Sequence, residues 1–471
     1  MPRTRPGSSA AEHRARMQPA DGLAFRGRPL FPGAPGAAAP WEPMAEYTCD
    51  TLENGLRVVG VPLPHHHGAE VLVYLGVGSR HEPPRQAGVS HFLEHMLFKG
   101  TADYPSSLAL ERAFEAAGGS ANAATDTETT CFHSRIHPDH LDQGVGLFAS
   151  MLRRPLFNDL EVERRVILEE ALSDFNEKDR QINPDNLVAD LLFPGHPLGR
   201  PTVGARRWVE RLTLAQLKQH HARYYTPRNA VLAVAGPVRH AEILAAARRH
   251  FGDWEGAAAP AVQLWSAGPG TGRHFAWVPD AGSQISLQLA FLLPGRDSAH
   301  AVNLRVIRRL LGWGGMSRLM LRLREELALT YAVEASLALY TDAGVLAVDL
   351  AVSPDNLAAA VEAILEIFRN LVVETVTAEE LEHALATYRY DLDYSRDHLE
   401  ELTLRYAWGE LTGCRRTIAG DFAELARVTP AGLQETARAF FTPQRLYGAI
   451  VGPYTRRGRK RVEDLLATWH P

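Results

Sequence analysis

Two imidazoles four residues apart, with a carboxylate just before the second, stand at His91-Phe-Leu-Glu94-His95. In the commoner metal-binding form of this pattern the Glu follows the first His; here the order is inverted. If residues 91 to 98 are helical, His91 and His95 project from one face one turn apart, with Glu94 beside them. The segment then offers two nitrogen ligands for a cation and one base. A catalytic zinc takes three protein ligands and keeps a fourth position for water, so a third ligand has to come from elsewhere in the chain. Glu163-Arg-Arg-Val-Ile-Leu-Glu169-Glu170 begins a second amphipathic segment, in which the adjacent Glu169 and Glu170 are both candidates. A chain with 20 His can carry one such His pair by chance, so the weight falls on the residues around it.

Those residues carry a resemblance. The run HFLEHMLFKGT from His91, the stretch Gly118-Gly119 to Asn122-Ala123, and ERRVILEE from Glu163 resemble the pitrilysin family of zinc peptidases. The likeness is greatest to its short-chain branch, which includes mitochondrial processing peptidase. It implies that Glu170, 75 positions beyond His95, is the third ligand, that Glu163 supports the ligands from outside, and that each chain binds one Zn²⁺. In the second half, Leu323-Arg324-Glu-Glu-Leu-Ala-Leu-Thr-Tyr331 resembles the family's Arg-x6-Tyr element, which implies that Arg324 and Tyr331 contact substrate and the reacting carbonyl. The family usually has Gly in the loop between them, where this chain has Ala328, so the shape of that loop is open. The Thr-rich stretch from Asn122-Ala123 to Cys131 has high β propensity, and the resemblance makes it a sheet edge bordering the metal. An extended peptide can join such an edge as an added strand, read through its backbone. Asn122 is equally readable as a turn residue.

The chain around these motifs has 471 residues, enough for two sizeable cores. Its 45% hydrophobic and 22% charged residues are those of a globular protein, and a net charge of -5 gives no support for nucleic-acid or membrane-surface binding. Three widely spaced Cys (Cys49, Cys131, Cys414) form no paired framework and read as free thiols of a reducing compartment, which predicts a cytoplasmic location. No apolar run reaches the length that spans a bilayer. Residues 1–45 are rich in Arg, Pro, Gly and Ala and lack the apolar core of a secretory signal; they read as a disordered extension.

Two internal echoes organise the remainder. Tyr224-Tyr-Thr-Pro through Gly236-Pro237 is repeated at Phe440-Phe-Thr-Pro through Gly452-Pro453, an offset of 216 residues (452 − 236). Pro138-Asp139-His140-Leu141 returns as Pro354-Asp355-Asn356-Leu357, at the same offset. Equal offsets at separated points predict two halves of one fold. Each half runs strand, helix, strand, helix, strand, which predicts a tandem α+β pair, each half a mainly antiparallel sheet with helices packed on it. The expected division is a metal-binding half at 46–254, a Gly/Ala/Pro-rich linker at 255–271 whose composition suits a hinge, and a second half at 272–471. Only the first half carries the metal motif, since the second reads Val306-Ile-Arg-Arg-Leu-Leu near the matching place.

Other His groups are assigned no role. His65-His66-His67 reads as a solvated hairpin loop between two strands, His196 as part of a Pro/Gly turn, and His220-His221 as surface or packing. The expected function is a zinc endopeptidase whose base is Glu94, acting on peptides or unfolded segments enclosed between domains. A homodimer is the expected assembly, because one chain holds both the metal motif and the Arg324/Tyr331 element; a heterodimer with a homologous subunit, processing precursors, is the alternative. A third reading, from a different class, is a non-catalytic scaffold that keeps the fold.

Overall fold

The computed structural model describes residues 45–266 and 274–471. The extension expected at 1–45 lies, but for its last residue, outside the described residues, as does the second part of the expected linker. Strands β1 (Thr48–Thr51), β2 (Arg57–Pro62), β3 (Ala69–Leu75), β4 (Asn122–Thr125), β5 (Thr130–Ile136) and β6 (Ala230–Gly236) form one sheet in the order β1-β2-β6-β3-β5-β4. Strands β7 (Phe275–Pro279), β8 (Ile285–Pro294), β9 (Val333–Leu339), β10 (Ala343–Val352) and β11 (Leu446–Gly452) form a second, in the order β7-β11-β8-β10-β9. The two orders match strand for strand once β1 is set aside. β6 and β11 are the two echoed segments; β6 lies parallel to β2 and antiparallel to β3, and β11 lies parallel to β7 and antiparallel to β8. The repeated Pro-Asp pairs each open a short 3-10 turn that runs into a helix, Leu141–Arg153 in one half and Leu357–Val373 in the other.

Pairing of β6 between β2 and β3 changes one expectation. The His65-His66-His67 loop joins β2 to β3, but those strands are not neighbours, so it is a crossover and not a hairpin. Its histidines are exposed or half-buried, as a surface loop requires.

Both faces of the first sheet are apolar, and the two faces meet different partners. Val58, Val71, Val73, Leu232 and Val234 join the core beneath the helices of the first half. Their alternates Val59, Val61, Leu72, Val231, Ala233 and Ala235 face the other way and merge with the core of the second half. The helix Leu399–Thr412, which belongs in sequence to the second half, packs across β3 and β6. The exchange is reciprocal: the helix Pro184–Leu192 of the first half lies on β8 and β11, burying Val188 and Leu192 against Ala290, Ala449 and Tyr447. Each sheet is thus closed by a helix from the other half. The linker composition suggested a hinge; the exchanged helices oppose one, because opening would strip an apolar face from both sheets at about 25 cal/mol per Å² exposed.

Candidate active site

The helix Val89–Leu97 carries the motif and starts at Gly88, whose φ of 96° is left-handed and where a Cβ would meet Val203 O at 2.6 Å. The buried carboxylate of Glu82 accepts from the Gly88 and Ser90 amides at 2.7 and 2.8 Å, filling the donor groups that a helix N-terminus leaves without partners. Every residue of this helix except His95 is buried. The first turn is thereby fixed, and with it the direction of His91.

The second acidic segment is helical over Leu160–Glu170, with Glu163 and Ile167 buried and Glu169 and Glu170 exposed. Glu163, Ile167 and Glu170 fall at i, i+4 and i+7, one face of this helix, which packs against the motif helix. Its Glu170 carboxylate lies 3.7 Å from His91 Nε2 through one oxygen and 3.8 Å from His95 Nε2 through the other. One ligand atom from each of His91, His95 and Glu170 lies within 4.8 Å of the others. His95 Nδ1 meets Glu163 Oε2 at 3.2 Å, and Glu163 also pairs with Lys99. A ring held at Nδ1 by a carboxylate presents Nε2 as its free nitrogen, the arrangement that orients a metal-bound His. Burial, with the neighbouring His95, pushes the His91 pKa down to about 4, so at neutral pH the ring is in the uncharged form that donates a lone pair. Two imidazoles and a carboxylate converging in this way fit a divalent cation of the zinc type.

Glu94 sits on the same helix one position before His95 and is buried. Burial raises its pKa above the usual carboxylate range, and a hydrogen bond from Thr125 Oγ1 to Oε2, at 2.6 Å, works in the opposite direction. Thr125 ends β4, which is the outer strand of its sheet, and in β4 the half-buried residues Ala123 and Thr125 alternate with exposed Asn122 and Ala124. Among the described residues no strand pairs with the outer side of this edge beside Glu94. Asn122 is in strand, paired with His133, and not in a turn.

Arg324 and Tyr331 are brought to each other. Arg324 lies on a π-helical turn, Met320–Glu326, and its guanidinium sits over the Tyr331 ring, 5.0 Å from the centroid. Tyr331 is 82% exposed and borders a cavity of about 760 Å³ with Thr330, Glu334, Asp349 and Trp313. Among the described residues no hydrogen bond, ion pair or ring contact links either side chain to His91, Glu94, His95 or Glu170. Ala328 holds φ at 48°, a left-handed conformation that costs a residue with a Cβ roughly 1 kcal/mol. The loop keeps the shape that Gly would allow, without the Gly.

Three supporting residues were not singled out from sequence. Lys99 is four positions after His95, a helical neighbour readable from spacing alone. Glu82 and Thr125 gave no comparable signal, since each acts across a fold contact. For Glu163 the geometry makes a definite prediction: Glu163→Gln weakens zinc affinity by roughly 10- to 100-fold, because the ring it orients loses a charged partner. Competition with a chromogenic chelator measures this, and unchanged affinity rejects the orienting role.

The chain is similar to known proteins over most of its length. Residues 57–206 match the family model described as insulinase (peptidase family M16), and residues 211–388 match the one described as peptidase M16 inactive domain. A Mycobacterium tuberculosis protein named as an uncharacterized zinc protease is 34% identical over 424 residues, 87% of this chain and 93% of its own. Among solved structures, a protease from Helicobacter pylori has a TM-score of 0.78 at 22% identity, covering 86% of this chain and 99% of its own. A peptidase M16 inactive domain from Pseudomonas fluorescens also gives 0.78, at 20% identity, with 87% and 99% covered. At such identities the likeness shows the fold alone. The M. tuberculosis relative and the two matched models carry the assignment: this chain is a member of the pitrilysin (M16) family of metallopeptidases.

Proposed function

We propose that this chain is a zinc endopeptidase in which His91, His95 and Glu170 hold one Zn²⁺ and Glu94 is the general base. The convergence of the three ligand atoms, with Glu94 alongside and tied to Thr125, carries the reading. The metal, when bound, supplies Lewis-acid polarisation of a water and of the scissile carbonyl. Thr125 occupies Oε2 of Glu94, which leaves Oε1 to take a proton from the attacking water and deliver it to the leaving amine nitrogen. The outer side of β4, at Asn122 and Ala123, aligns an extended peptide through backbone hydrogen bonds, so selection falls on conformation more than on side chains. Arg324 and Tyr331 donate hydrogen bonds to the substrate and its developing oxyanion.

The division into a metal-holding half (46–254), a linker (255–271) and a substrate-contacting half (272–471) belongs to the same proposal, as do a homodimer enclosing the reaction chamber and a cytoplasmic location. Among the described residues no helix is long and apolar enough to cross a membrane. The three cysteines are unpaired, which suits a reducing compartment. A scaffold role is disfavoured, because a protein without chemistry has no use for a buried carboxylate beside two convergent imidazoles.

Metal removal tests the reading. The purified chain is expected to hold one zinc, to cleave an unstructured peptide library, to lose that activity on treatment with 1,10-phenanthroline and to regain it with stoichiometric Zn²⁺. Full activity in the stripped protein rejects a metal mechanism, and a monomer active at all concentrations rejects the dimeric chamber.

A further inference from the structure

The turns that end the edge strands of the two sheets meet, and one of them begins next to Thr125, which bonds Glu94. Residues 126–129 join β4 to β5, and residues 340–342 join β9 to β10 at the matching place in the second half. Between them lies Arg80, whose side chain is 0% exposed. It bonds Glu128 Oε1 at 2.6 Å through Nη1, Asp342 at 2.8 and 2.6 Å through both nitrogens, and the linker carbonyl of Gln263 at 2.8 Å. Glu128 accepts in addition from Arg296 and from the Thr341 amide at 3.2 Å, and Asp342 from the Trp265 amide. Arg296 lies over Trp408 of the exchanged helix Leu399–Thr412, 5.1 Å from the ring centroid. Two cations and two anions are thus paired across the halves with every carboxylate group in use.

Burying such a group needs a reason other than stability. Ion pairs taken out of water return little net free energy compared with apolar packing of the same volume, whereas in some folds they fix one register among alternatives. The register at stake is that of β4, a four-residue strand paired, among the described residues, with β5 alone. Its turn is held by Ser79 N to Asp126 O at 3.2 Å and by Arg80 N to Thr127 O at 2.8 Å, so the residue that carries the guanidinium also grips the turn's backbone. Thr125, immediately before the turn, is the donor to Glu94.

We infer that Arg80, Glu128, Arg296 and Asp342 form a lock between the halves that places β4 and, through Thr125, sets the position of Glu94; Glu128 is a positioning residue for the hydrolysis proposed above, and the inference rests on that proposal. Among the described residues Glu128 bonds Arg80, Arg296 and the Thr341 amide, and none of His91, Glu94, His95 or Glu170. Its effect passes through the hydrogen bond from Thr125.

A double-mutant cycle on the full-length zinc-loaded protein tests this, with kcat and KM for one unstructured peptide expressed per bound zinc. Glu128→Gln is expected to lower kcat about tenfold with KM within about twofold, since misplacing a catalytic group by a fraction of an ångström has effects of this order. In the Thr125→Val background, where the relay is already cut, the same substitution is expected to change kcat by less than about twofold. A loss of equal size in both backgrounds is what partial unfolding produces, and it overturns the inference. If Glu128→Gln does not fold, Asp342→Asn takes its place in the cycle with the same expectation. Amide exchange in the zinc-free protein gives a readout independent of activity: residues 122–125 are expected to exchange faster in either variant, and unchanged exchange overturns the lock. A wild type with no metal-dependent cleavage overturns the functional proposal and this one together; an active wild type with a failed cycle overturns this one alone.

Discussion

Glu94→Gln is expected to keep its zinc and lose cleavage by a factor on the order of 10² to 10⁴, the range that a general base contributes. The reason lies in geometry. Glu94 is not among the three converging ligand groups, so its replacement leaves the metal set intact, while the isosteric amide can still accept from Thr125 at the position of Oε2. What the amide cannot do is take a proton from water. The same substitution separates catalysis from stability. Burial raises the Glu94 pKa in the fold above its unfolded value, so the zinc-free native state holds that proton more tightly than the unfolded chain. Stability is then lost as pH rises from the unfolded pKa to the folded one, so above that interval the buried carboxylate is a net cost to the fold. Gln carries no such cost. The zinc-free variant is therefore expected to melt at the same temperature as wild type or higher, and a lower Tm accompanied by lost zinc would mean that the inactivation is structural. Undiminished peptide cleavage would reject Glu94 as the base.

The parts of this site that could be read in advance are those carried by spacing. His91, Glu94 and His95 share a helix, where a four-residue separation fixes a common face whatever the fold does. The duplication was equally legible, because an unbroken offset of 216 residues reports equal lengths between corresponding points, and the matching strand orders follow from it. Partners brought together by topology left no such trace. No periodicity states which sheet the helices Pro184–Leu192 and Leu399–Thr412 will cover; their exchange between halves replaces a hinge with an interlock. Thr125 looked like one Thr among several, and Arg80, Glu128, Arg296 and Asp342 are scattered charges until two turns meet. The Arg324 loop shows a different limit: without the usual Gly the sequence left its shape open, and Ala328 takes a left-handed backbone at a cost the surrounding structure absorbs.

Glu170→Ala is expected to abolish stoichiometric zinc binding, with an affinity loss larger than the roughly 10- to 100-fold typical of removing an outer partner, while Glu169→Ala retains the metal. Composition does not distinguish two adjacent carboxylates; the helix does. At 100° per residue, Glu170 is 700° from Glu163, within about 20° of two full turns, so a helix that places Glu163 against His95 Nδ1 also directs Glu170 toward the two Nε2 atoms. Glu169 is rotated about 100° from that line and faces solvent. The Glu170 side chain is itself 47% exposed, so removing it opens no cavity and the fold should be unaffected. Zinc content after dialysis, together with the circular dichroism of each variant, measures both halves of the statement. Metal lost from Glu169→Ala and kept by Glu170→Ala would reverse the ligand assignment, whereas metal kept by both would mean that the third ligand comes from outside this helix.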